Sequence, residues 1–217
     1  MSLQILEPVE LDARDDALVL VVDDDAMLRH ALGSLFRSVG MDVALFGSAA
    51  EVLEFSMPDV PCCLVLDVRL RGPSGLDLQG RLSQRGIHVP IIFMTGYGDI
   101  AMTVAAMKAG AEDFITKPFR DQDLLDAVSG ALAKDHRHRE ARRREQALRA
   151  TFETLTPRES EVMSMAVSGM MNKQIAGRMG ISEVTVKIHR GQAMRKMKAR
   201  TFAGLVLMAQ QLGICHT

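Results

Sequence analysis

From Ala17 onward, short apolar runs alternate with longer amphipathic stretches. Leu18 to Val22 precedes Ala26 to Val39, Val43 to Phe46 precedes Ala49 to Phe55, and Leu64 to Leu66 precedes Leu76 to Leu82. Ile91 to Met94 then precedes Ile100 to Met107, and Phe114 to Ile115 precedes a helix beginning near Asp121. Runs that are apolar at every position suit strands buried on both faces, and helices between them suit a parallel sheet covered on both sides. The pattern therefore predicts an α/β doubly wound (βα)5 domain with a five-stranded parallel sheet over residues 17–133. Residues 1–16 lack it and are expected to form a flexible acidic extension.

Between Asp121 and Ala150 only Gly130 breaks helical character, and Lys134 to Arg149 is rich in Arg, His, Glu and Ala with no apolar stripe. A helix polar on all sides is expected where it bridges domains through solvent. The last helix of the first domain is thus expected to continue from Asp121 as a helical linker over 134–151, the stretch Asp121 to Ala150 being ~45 Å long if unbroken at 1.5 Å per residue; a charged, frayed linker is the alternative. His136 and His138 are two apart, on different helix faces, and do not suggest a metal site.

Residues 152–217 read as an all-α domain. Thr156-Pro157-Arg158-Glu159 combines a cap, a proline at the first helical position and a capping-box glutamate. Asn172 is expected to cap a second helix that ends at Gly180, Ser182 a third, and Thr201 a fourth over Phe202 to Leu212. Four short helices with a tight glycine turn between the second and third describe a helix-turn-helix domain.

Charge sharpens this division. Residues 1–130 carry 10 Lys+Arg against 20 Asp+Glu, a net of -10, whereas residues 131–217 carry 16 against 7, a net of +9. The formal charge of -1 hides an acidic half joined to a basic half, and a basic half points to nucleic acid or an anionic surface. The longest apolar run is the six residues Ala17 to Val22, far short of the roughly 20 that span a membrane. The N-terminus is acidic where a secretory signal is basic, so a cytoplasmic location is expected. Cys62, Cys63 and Cys215 fit neither a disulfide framework nor a zinc spacing and are read as buried free thiols. The 15 methionines are read as core filler.

Asp23-Asp24-Asp25 follows the first predicted strand, Asp67 ends the third, Thr95 ends the fourth and Lys117 follows the fifth. In a doubly wound sheet these positions share the carboxyl edge, where such folds place their sites. Carboxylates gathered in one crevice call for a cation, and an all-oxygen set favours Mg2+. Lysine and a threonine hydroxyl suit an incoming phosphoryl group, and Asp67 is then a reasonable nucleophile for an aspartyl-phosphate. Any one of these aspartates, taken alone, reads more readily as a turn former or helix cap.

Val22-Asp23-Asp24, Leu66-Asp67, Met94-Thr95-Gly96 and Lys117-Pro118-Phe119, in this order and spacing, resemble the receiver domain of two-component response regulators. The resemblance implies that Asp67 accepts phosphate from a sensor histidine kinase, and that Asp24 and Asp67 with the backbone carbonyl of Arg69 hold Mg2+, Asp23 assisting through water. It further implies that Thr95 and Lys117 contact the phosphoryl oxygens, that the Lys117-Pro118 bond is cis, and that Phe114 is an aromatic switch coupled to Thr95. The loop Arg69-Leu70-Arg71-Gly72-Pro73 departs from the family, which has Met-Pro where Leu70-Arg71 stand.

In the basic half, projecting Glu183 to Met197 at 100° per residue gathers Val186, Ala193 and Met197 in a buried seam. The opposite face carries Val184, Lys187, Ile188, Gly191 and Arg195, a mixture suited to guanine edges and thymine methyls in a major groove. Lys173, Thr185, Arg190, Lys196 and Lys198 suit phosphate contact. Leu155 to Glu159, Asn172 to Ala176, Ile181-Ser182 and Thr185 to His189 are similar to the LuxR-type DNA-binding domain. Joined to a receiver, they make the chain similar to the FixJ and NarL subfamily of transcriptional regulators. This resemblance implies double-stranded DNA, a homodimer on phosphorylation and RNA polymerase as partners. It leaves His189 open between core packing and DNA contact, and assigns Leu205, Met208 and Leu212 on the last helix to a dimer contact, with intradomain packing the alternative. The chain is accordingly read as a regulator and not an enzyme. The rivals are a DNA-binding regulator with a degenerate receiver, and an aspartate-nucleophile phosphatase, which usually needs a second acid where Arg69 stands.

Overall fold

In the computed structural model, which describes residues 17–96, 104 and 106–214, the apolar runs become five strands. They are β1 Leu18–Val22, β2 Asp42–Phe46, β3 Cys62–Asp67, β4 Ile91–Thr95 and β5 Asp113–Thr116, all parallel, in the order β2-β1-β3-β4-β5. Helices α1 Ala26–Ser38, α2 Ala49–Glu54, α3 Gly75–Gln84 and α4 Asp121–Glu153 accompany them. The 1–16 extension and most of the helix expected over Ile100–Met107 lie outside the described residues, although 104 and 106–108 are helical.

Alternate side chains of a strand leave opposite faces, and here each parity has its own helices. Leu20, Val22, Leu64, Leu66 and Phe93 pack against Ala49, Val52, Leu78 and Leu82 of α2 and α3. Val19, Val21, Val65, Ile92 and Met94 pack against Leu32, Phe36, Leu124 and Val128 of α1 and α4. Burying both parities is why the strands read as unbroken apolar runs, and each leucine-sized side chain taken from water contributes about 1.5–3 kcal/mol. Cys62 and Cys63 are free and buried within these strands. Burial pushes the Cys62 thiol up to about 11 and Cys63 higher still, so both behave as apolar side chains near neutral pH.

The chain divides into two compact units at Arg139/Glu140. α4 runs unbroken from Asp121 to Glu153, and packing of the first unit follows it past Ala133. Asp135 is buried; its Oδ2 accepts the Cys62 amide at 2.9 Å and the Arg139 Nε at 2.6 Å. Arg139 also reaches Asp59 Oδ1 at 3.2 Å. The first peptide of β3 is thereby tied to the helix, and this long-range bond lies in a stretch whose sequence shows only charge.

The second unit contains α5 Pro157–Val167, α6 Asn172–Met179, α7 Glu183–Lys196 and α8 Phe202–Gln211. Thr156, Ser182 and Thr201 cap α5, α7 and α8 as expected, accepting from Glu159 N, Thr185 N and Gly204 N. The expectation that Asn172 caps α6 is corrected: Met171 is the cap residue and Asn172 the first helical one. Gln174 Oε1 accepts the Met171 amide at 2.8 Å, and that half of a capping box needs no polar cap side chain. Gly180 adopts φ 66°, ψ 33°, the left-handed turn that a side chain disfavours. Val162, Ala166, Ile175 and Val186 form one core cluster. Met163, Ala193, Met197, Leu205 and Ala209 form a second, which Leu148 and Phe152 from the end of α4 join.

Replacing Asp135 by alanine leaves the buried Cys62 amide without its acceptor. Such a loss costs about 1–3 kcal/mol. The Cys62 amide should exchange with deuterium faster, and the first unit should unfold at lower urea, in Asp135→Ala; unchanged protection would show the bond to be dispensable.

Candidate functional site

Strand register assembles the acidic site. β1 and β3 pair with Val22 opposite Leu66, so Asp23 and Asp67 leave the sheet at the same level. Asp67 lies opposite Met94, and Thr95 opposite Thr116, which brings Thr95 and Lys117 to the next step of the same edge. The Lys117 amide donates to Thr95 O at 2.7 Å, and the Lys117-Pro118 peptide is cis. From β1 the chain turns to β2 on one side and β3 on the other, the switch point at which doubly wound sheets open a crevice.

The three aspartates that follow β1 have different tasks. Asp25 caps α1, accepting from Met27 N at 2.8 Å and Leu28 N at 3.3 Å. Asp23, Asp24 and Asp67 each present a carboxylate oxygen, and these oxygens lie within 4.8 Å of one another. Lys117 Nζ donates to Asp23 Oδ2 and Asp67 Oδ2, both at 2.8 Å. Burial pushes the Asp23 carboxyl up, outweighing the pull of Lys117 and of the Asp25 amide. Burial would lower Lys117, but its hydrogen bonds to Asp23 and Asp67 prevail and hold it above its ordinary value. The pocket is short of positive charge, and a clustered set of hard oxygen donors fits Mg2+ in kind.

Asp67 Oδ1 accepts the Arg69 amide at 3.1 Å. Thr95 is buried at the end of β4, and its hydroxyl lies 3.4 Å from Gly96 O. Phe114 is 39 % exposed, so it is not a buried core residue of β5. Two site residues carried no sequence signal strong enough to single them out. Arg71, where the family has proline, places Nε 2.8 Å from Asp24 Oδ2; a cation in the loop after the acceptor was the available clue. A Cβ at Gly75 would fall 2.6 Å from Asp67 O, so glycine lets α3 begin hard against the acceptor's own backbone.

In the second unit the two faces of α7 separate as projected. Val186, Ala193 and Met197 are buried, whereas Val184, Lys187, Ile188, Gly191 and Arg195 are all exposed. Val184 and Ile188 are 66 % and 56 % exposed, an unusual outlay of branched apolar surface beside two cations. Lys173 is exposed at the start of α6, Lys198 is exposed just beyond α7, and Thr185 and His189 are half-buried. Thr185 shares a hydroxyl hydrogen bond with Ser182 at 2.9 Å.

Other expected contacts are engaged inside the domain. Arg190 donates to Asn172 Oδ1 at 3.3 Å and its guanidinium stands 4.1 Å over the Phe202 ring. Lys196 Nζ donates to buried Glu159 at 2.6 Å and to Thr154 O at 3.0 Å. Leu205 is wholly buried, and Met208 and Leu212 pack on the same core. A dimer contact through Leu205 is therefore corrected: the helical stripe fills its own domain first, and Leu207, 61 % exposed, is the large apolar side chain that α8 turns outward.

Among the described residues no helix is long and apolar enough to cross a membrane. A family model described as the response regulator receiver domain matches residues 19–129, and one described as bacterial regulatory proteins, luxR family, matches residues 153–209. The chain is 56% identical over 203 residues to nodulation protein W of Bradyrhizobium diazoefficiens, covering 94% of this chain and 89% of that protein. It is 41% identical to the transcriptional regulatory protein FixJ of Azorhizobium caulinodans, covering 90% and 93% respectively. Its structure is similar to that of the response regulator StyR, with a TM-score of 0.84, 45% identity, and coverage of 90% of this chain and 99% of that one. With the acidic switch-point pocket in one unit and the two-faced helix in the other, these matches show that the chain belongs to the two-component response regulators that join a receiver to a LuxR-type DNA-binding domain and regulate transcription.

Proposed function

We propose that Asp67 is the phosphoacceptor, that a sensor histidine kinase is the donor, and that phosphorylation controls dimerisation and sequence-specific binding to double-stranded DNA. The observation that carries this reading is the single Lys117 ammonium bridging Asp23 and Asp67 in a pocket short of positive charge. An Asp67 carboxylate oxygen forms a bond to phosphorus while the bond from phosphorus to the kinase imidazole breaks and its electron pair returns to that nitrogen. Lys117 then neutralises one phosphoryl oxygen, and the Thr95 hydroxyl donates to another. Mg2+, held by Asp24, Asp67 and the Arg69 carbonyl with help from Asp23, supplies further neutralisation of the transferred charge when bound.

Thr95 and Phe114 form the switch in this reading. Phe114, already partly in solvent, exchanges exposure for burial when Thr95 turns to the phosphoryl group. Paired receivers raise the effective concentration of a second DNA-binding domain at a two-fold site. There the exposed face of α7 reads bases, Lys173 and Lys198 contact phosphate, and Arg190 and Lys196 hold α7 in place from within. The working location is the cytoplasm, RNA polymerase is the onward partner, and the chain itself catalyses no turnover of a separate substrate.

Three experiments test this account. With acetyl phosphate and Mg2+, wild type should acquire one phosphoryl group by mass spectrometry, and Asp67→Asn none; equal uptake would remove the mechanism. In EDTA, Asp23→Asn should melt above wild type at pH 7.5. A carboxyl raised in the folded chain binds its proton more tightly there than when unfolded, so stability falls as pH rises from the ordinary 3.8 through the raised value. The gap should narrow as pH is lowered, and a variant that melts below wild type at every pH would refute the strain at Asp23. On DNA, Lys173→Ala should weaken binding to all sequences and reduce the slope of log affinity against log salt by about one. Lys196→Ala should instead lower thermal stability and leave that slope unchanged; a reduced slope would return Lys196 to the phosphate contacts.

A further inference from the structure

Two cations of unlike character, Lys117 and Arg71, pair with carboxylates of the pocket. Lys117, one quarter exposed, bridges two partners at once. Among the described residues Arg71 pairs with Asp24 alone, through Nε to Oδ2 at 2.8 Å, and its side chain is 90 % exposed. Its loop is shaped to carry it there: Gly72 follows at φ 100°, and Gly75 closes the loop against the Asp67 carbonyl.

We propose that Arg71 is a displaceable counter-ion for Asp24, which offsets the charge of the metal-free pocket and weakens Mg2+ binding by competing for that carboxylate. The proposal rests on the reading of Asp23, Asp24 and Asp67 as a Mg2+ site. A guanidinium and a divalent cation repel each other at a common carboxylate, so one must withdraw before the other binds at full strength. Lys117 is poorly placed to withdraw, because leaving would strand both Asp23 and Asp67. Among the described residues Arg71 has one ion pair to break, and it has solvent to receive it. Exposed ion pairs are weak and screened by salt, equivalent to no more than about fivefold in an equilibrium constant. Arg71 is therefore a brake on the metal and not a lock, and its effect should fade with ionic strength.

Calorimetric titration of MgCl2 into the full chain tests this with wild type, Arg71→Gln, Arg71→Lys and Asp24→Asn. Melting in EDTA confirms that each variant is folded. At low salt Arg71→Gln should bind Mg2+ about two- to fivefold more tightly than wild type, the range an exposed pair spans. Arg71→Lys, which keeps the charge, should stay near wild type. In ~1 M KCl, where the screening length is about 3 Å, the Gln variant and wild type should converge. Equal or weaker binding by Arg71→Gln would overturn the role of Arg71 while leaving the metal site intact. Absence of Mg2+ uptake by wild type, or undiminished uptake by Asp24→Asn, would overturn the metal reading itself and the brake with it.

Discussion

The hydrogen bonds from Lys117 to Asp23 and Asp67 are the interaction on which the acidic site of the first unit is organised. Carboxylates gathered at the end of a parallel sheet repel one another and lose water, and only cations relieve both costs. Lys117 does not offset the loss of water at Asp23, whose carboxyl stays raised chiefly by burial. That shortfall accounts for the rest of the site: an oxygen set suited to a divalent ion, a threonine donor beside it, and an arginine drawn in from the next loop.

The same logic, with the sign reversed, shapes the second unit. Cations that a DNA-binding domain needs on its surface are partly used to build it. Lys196 pairs with the capping-box Glu159 from across the domain, and Arg190 joins the start of α6 to the first residue of α8. What remains outward on α7 is a narrow face of Val184, Lys187, Ile188, Gly191 and Arg195. Its two cations are Lys187 and Arg195, so the apolar positions between them carry much of its shape.

The parts legible in the sequence were those governed by neighbours along the chain. Strands buried on both faces announce themselves as apolar runs, and Thr156, Ser182 and Thr201 announce helix starts because a cap acts within three residues. Pairings across the fold were not legible. Asp135 and the Cys62 amide lie 73 positions apart, and a charged residue in a polar helix gives no sign that it is buried. For Lys196 and Arg190 the charge is visible in sequence while the partner inside the domain is not. Leu205 looked available to another chain because a helical stripe does not say which surface it fills. Asn172 looked like a cap because the reach of Gln174 back to Met171 is a matter of side-chain geometry.

The bond between Asp135 and β3 bears on how such proteins exchange parts. Receivers and output domains are combined as modules, and a junction drawn where the apolar pattern stops, after Ala133, would discard Asp135 and Arg139. The strand that ends in Asp67 would then begin with an unanswered amide. The energetic edge of the receiver thus lies a turn or more inside what resembles a linker, and a transplanted output domain must inherit those residues with the sheet they serve.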